Sequence, residues 1–178
     1  MGRRAFLVLA VIFVAEALAP SAAFAQASDA AVKAAFLPRF ARYVTWPPAM
    51  VPKNGDPFVL CVIGDDPFGR ALDQAANGQS VDGRRIIVKR LSTPAGAGAC
   101  HVAFIGGTNG QPAGQVLAAI GRKPILTVTD ARDGGQRGLV HFSVVGGRVR
   151  FFIDQAAAQK RGLTISSRLL ALAMGVRQ

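Results

Sequence analysis

The residues able to do chemistry are few. Past its N-terminal segment the 178-residue chain holds two histidines, His101 and His141, nine aspartates, no glutamate and two cysteines, Cys61 and Cys100. A zinc site wants three or four ligands at short, paired spacings, and no Cys-x-x-Cys pair occurs, so no metal is expected. A serine hydrolase wants its nucleophile on a G-x-S-x-G elbow; the stretch Gly78-Gln79-Ser80-Val81-Asp82-Gly83 only approaches that pattern, and Ser80 reads as a turn residue. Gly106-Gly107-Thr108 matches neither the dinucleotide fingerprint nor a P-loop, so no cofactor is expected either. One constellation keeps a chemical rationale. Asp66, Gly107 and Asp130 each follow an apolar run that reads as a parallel strand, and open α/β sheets bind ligands beyond their strand C-termini. A small-molecule pocket built on those three is therefore the alternative functional reading, against a plainer one in which the aspartates cap turns and the glycines make tight loops.

The elements that must position these residues begin after an export signal. Gly2-Arg3-Arg4 leads into an apolar run from Ala5 to Ala15 and then to Ala23-Phe24-Ala25, the small-x-small pattern of a cleavage site. Residues 1–25 are expected to be a cleaved signal peptide and 26–178 a single exported α/β domain. The run falls short of the roughly 20 residues that span a bilayer, and Glu16 interrupts it. In an oxidising compartment an even count of two cysteines predicts one bridge, Cys61 to Cys100. The formal charge of +11 would ordinarily point to nucleic acid, but an exported protein rarely meets any. Anionic lipid, lipopolysaccharide or an acidic protein face are the partners that fit.

Residues 28–46 place Val32, Phe36, Phe40 and Val44 at helical spacing, with Lys33, Arg39 and Arg42 elsewhere on the wheel. Pro38 is expected to kink or split that helix. Short apolar runs then alternate with helical or glycine-rich stretches. Strands are expected at 58–64, 85–90, 100–106 and 125–130, and helices after the Asp66-Pro67 cap and at 112–120, while 91–99 reads as a loop. This alternation predicts a mainly parallel sheet with helices on both faces.

The clearest local signal is Gly146-Gly147 between two alternating runs, 139–145 and 148–154, which predicts a β-hairpin. Pairing across the turn sets Val144 opposite Val149, Phe142 opposite Phe151 and Val140 opposite Ile153 on the core face. The other face carries His141, Ser143, Val145, Arg148, Arg150 and Phe152, at what reads as a sheet edge. A helix over 155–161 and a last one from about Ser166, with Ile165, Leu169 and Leu172 as its stripe, close the chain.

Lys33-Ala34-Ala35-Phe36-Leu37 with Trp46-Pro47, Cys61-Val62-Ile63-Gly64-Asp65-Asp66-Pro67-Phe68-Gly69, Cys100-His101-Val102-Ala103-Phe104-Ile105, Leu126-Thr127-Val128-Thr129-Asp130 and residues 162–173, taken in order, resemble the YfiR family. The resemblance implies a periplasmic, non-enzymatic regulator. Such proteins restrain an inner-membrane diguanylate cyclase of the YfiN type by contact with its periplasmic portion, lowering cyclic di-GMP and biofilm formation. Cys61 and Cys100 match the positions of a family bridge, and no cysteines remain for the second bridge of some members. Phe152 stands where the family pattern often has an acidic residue, and Pro38 where its helix usually lacks proline. Arg148, Arg150 and Phe152 are the candidate partner-binding residues, since interfaces favour arginine and aromatics. A homodimer is left open.

Overall fold

A computed structural model describes residues 21–53, 55–108 and 110–178. Most of the expected signal segment, residues 1–20, lies outside the described residues. The chain runs α1 (Ser21–Ala41), β1 (Val44–Thr45), β2 (Phe58–Ile63), α2 (Arg70–Ala76), β3 (Ser80–Val81), β4 (Arg84–Leu91), β5 (Val102–Ile105), α3 (Ala113–Ile120), β6 (Leu126–Asp130), β7 (Val140–Val145), β8 (Arg148–Asp154), α4 (Gln155–Gln159), β9 (Thr164–Ile165), α5 (Ser167–Leu170) and β10 (Gly175–Arg177). An eight-stranded sheet has the order β10-β8-β7-β6-β5-β2-β4-β3, and β1 pairs with β9 in a small second sheet. From β4 through β7 the strands are parallel.

Alternation of side chains across the pleat divides the core in two. On one face Leu60, Val62, Phe104, Val128, Phe142 and Phe151 pack against α1, α2 and α4. On the other, Val59, Cys61, Ile63, Ala103 and Ile105 pack against α3 and a 3-10 stretch over Pro94–Ala99. The central strand β2 is buried at every position, as a strand covered on both faces must be.

The hairpin register is the expected one: Val140 opposite Ile153, Phe142 opposite Phe151, Val144 opposite Val149. Gly146 and Gly147 both take positive φ, which a two-residue turn requires and only glycine adopts without cost. Val144 leaves the core, however, and is exposed near the tip. The strand β8 is also no edge. Gly175–Arg177, just before the final residue, pair with it in parallel, Gly175 beside Phe152 and Arg177 beside Asp154.

Other expectations need correction. Helix α1 ends at Ala41, because Val44 and Thr45 extend to meet Ile165 and Thr164. It runs unbroken through Pro38. A proline this near the C-terminal end removes a single backbone bond, and the buried Ala34, Leu37, Phe40 and Ala41 hold the final turns against the sheet. Its inward face is therefore rotated from the expected stripe: Val32 is exposed and Lys33 is wholly buried. Asp66 does not cap α2, which begins at Arg70 after Gly69. Ser80 sits in a two-residue strand beside Arg85 rather than in a turn. The last helix is one turn, with Leu172 outside it and exposed.

Candidate functional site

The disulfide joins Cys61 of β2 to Cys100 just before β5, at a sequence separation of 39 and with both side chains fully buried under α3. It ties two neighbouring strands inside the second core.

Asp66, Gly107 and Asp130 lie at the strand C-terminal ends of β2, β5 and β6, as expected, and the structure makes these strands neighbours in the parallel part of the sheet. The cavity that Asp130 lines, with Asp29, Arg132 and Ser143, includes neither Asp66 nor Gly107. The chain leaves β2 toward β4 on one side and leaves β5 toward β6 on the other, so the sheet's switch point lies between β2 and β5. There the two loops touch backbone to backbone: a Cβ on Gly64 would lie 2.1 Å from the Gly106 carbonyl oxygen, and one on Gly106 2.0 Å from that of Asp65. Only glycine permits this approach, and Gly64 also has φ of +89°.

Each aspartate has its own partners. The Asp66 carboxylate accepts the backbone N–H groups of Phe68 and Gly69 and, at 2.7 Å, the Nε–H of Arg90. Arg90 reaches on to both oxygens of Asp73, whose carboxyl the guanidinium bonds hold below the usual range. Asp130 instead accepts from Lys33 Nζ at 2.5 Å, a buried ion pair pinning α1 to the end of β6. Asp133 stands nearby with its carboxyl pushed up by burial and by Asp130. Gly107 packs near Asp133 through backbone. Lys33 was the residue sequence reasoning missed. Its i, i+4, i+7 relation to Leu37 and Phe40 was the available signal, outweighed by the charge.

The hairpin's outer face is different. Among the described residues no helix covers it, and Arg148, Arg150 and Val145 are exposed beside a half-buried Phe152. Ser143 faces Arg150 and Val145 faces Arg148 across the pair. β10 stops at Phe152, so positions 148–151 keep a free strand edge apart from the Phe151 carbonyl, which accepts Met174 N–H. Arg137 lies over the Phe152 ring, 5.4 Å from its centroid. Below them His141 is buried, and burial together with the Arg137 charge lowers its pKa. The structure thus brings Arg148, Arg150 and Phe152 onto one surface and adds Arg137 to it.

Among the described residues no group of three or more His, Cys, Asp or Glu could hold a metal ion, and no helix is long and apolar enough to cross a membrane. A family model described as YfiR/HmsC-like matches residues 30–174. No curated protein matches the chain.

Proposed function

The chain belongs to the YfiR/HmsC-like family, and from that premise we propose that it restrains a membrane diguanylate cyclase by binding the enzyme's periplasmic portion through the hairpin's outer face. Family membership supports the coarser part, a periplasmic regulator of cyclic di-GMP signalling. The observation that carries the finer part is the uncovered cationic and aromatic strip of Arg148, Arg150 and Phe152. Exposed arginines beside a half-buried ring fit an acidic or apolar protein face, supplying charge steering at the rim and an anchor at the centre. Such a protein acts by contact: binding one conformation of the cyclase better than another shifts its population, and no chemistry of its own is needed.

The test is cellular cyclic di-GMP after deletion of the gene. The level is expected to rise, to fall again with the full chain, and to stay high with a chain lacking residues 2–25. The double variant Arg148→Ala with Arg150→Ala, exported to the same level, is expected to behave like the deletion. Full restoration by that variant would remove the hairpin face from the account, and an unchanged level on deletion would remove the cyclase.

A further inference from the structure

Along the β10 side of the sheet, where β7 begins and β8 and β10 finish, lies a cavity of about 560 Å³. Its walls include Arg137, His141, Phe152, Asp154, Val176 and Arg177. That volume suits a small organic molecule, as ligand pockets run from about 300 to 1,000 Å³.

Three features define what would fit. The first is charge. Arg177 bonds the Asp154 carboxylate, whereas Arg137 has no carboxylate partner among the described residues, so two guanidiniums face one carboxylate and one positive charge is left over. The second is a directed donor. Thr129 Oγ1 accepts the Gly138 N–H at 2.9 Å and lies 2.8 Å from His141 Nδ1. Its own hydrogen goes to Nδ1, because the opposite arrangement would leave a buried hydroxyl hydrogen without an acceptor. His141 then carries its hydrogen on Nε2, which has no partner among the described residues. The third is shape. Phe152 is held between the Arg137 guanidinium and the backbone of Gly175, where an added Cβ would meet the ring edge at 3.1 Å. With Ile153 and Val176 it makes an apolar wall.

We propose that this cavity binds a small planar monocarboxylate, the carboxylate between Arg137 and the His141 Nε2–H and the flat body against Phe152 and Val176. A dianion such as phosphate would leave a charge unmatched and the apolar wall unused. The proposal does not rest on the partner reading, since either can fail while the other holds, though the two share Phe152 and the cavity opens on the same face as Arg150.

The experiment is a titration of the full exported chain, ¹⁵N-labelled, with benzoate, benzamide and inorganic phosphate, followed by the backbone amides of Gly138, Gly175 and Val176. Benzoate is expected to shift those amides saturably. Benzamide, lacking the charge, and phosphate, lacking the ring, are each expected to bind at least about tenfold more weakly, the equivalent of one charge-assisted hydrogen bond. Arg137→Gln, at an exposed position, should cost benzoate a similar factor, and Arg122→Gln, outside the cavity, none. No benzoate shift at millimolar concentration, equal binding of benzamide or phosphate, or an Arg137→Gln protein that binds benzoate like the parent would each overturn the proposal.

Discussion

Replacing Lys33 with methionine keeps a long apolar stem in the space the side chain occupies but removes the ammonium that bonds Asp130. Lys33 is 0% and Asp130 5% exposed, so the abandoned carboxylate cannot regain water in place. Removing one member of a buried pair costs about 3–5 kcal/mol. Two contacts that survive set the expectation at the lower end: the Arg132 N–H donates to Oδ1 at 3.1 Å, and Arg132 Nε lies 3.8 Å from Oδ2. A loss of about 3 kcal/mol in a domain of this size lowers Tm by about 6–12 °C. The double variant Lys33→Met with Asp130→Asn removes both charges while keeping an acceptor for the Arg132 N–H. It should return to within about 1 kcal/mol of the parent, because desolvation offsets most of what a buried pair gains by attraction. Urea denaturation of the parent, both single variants and the double variant gives the coupling directly. A cost below about 1 kcal/mol for Lys33→Met, or a double variant no more stable than the single, would refute the reasoning.

Reduction of the Cys61–Cys100 bond frees a loop of 39 positions, for which the chain-entropy relation gives about 4 kcal/mol; the urea midpoint should fall accordingly in dithiothreitol, and an unmoved midpoint with both thiols demonstrably free would contradict it. His101 is neutral in the folded protein, its Nδ1 accepting the Val59 N–H and its Nε2–H donating to the Met50 carbonyl, and burial lowers its pKa. A histidine depressed on folding contributes stability that is fully present above its unfolded pKa of about 6.5 and is lost as pH falls toward its folded value, at up to about 1.4 kcal/mol per pH unit. Stability measured from pH 7 down to 5 should therefore decline, with a shallower slope in His101→Asn; identical slopes would exclude His101 as a source of the decline.

What the sequence determined by itself are the features written in local pattern. Alternation about Gly146-Gly147 specified the hairpin and its register residue by residue, because a one-position slip would turn Phe142 and Phe151 out of the core. The continuous apolar run of β2 specified a strand buried on both faces, and an even count of two cysteines, in a sequence that reads as exported, specified their bridge. What the tertiary structure alone decided depends on contacts between distant positions. Lys33 is buried because Asp130, 97 positions away, is there to receive it, and helical spacing alone reads a lysine as solvent-facing. β10 forms because β8 offers an unpaired edge; three residues carry no periodicity to announce it. Gly64 and Gly106 close the switch point through a backbone contact that neither loop reveals alone. Arg137 reaches Phe152 from across the sheet end, so the cavity they share arises only once both strands are in place. Local free energies select elements one at a time, whereas a buried charge, a third-partner strand and a cavity are each properties of at least two elements held together by the rest of the fold.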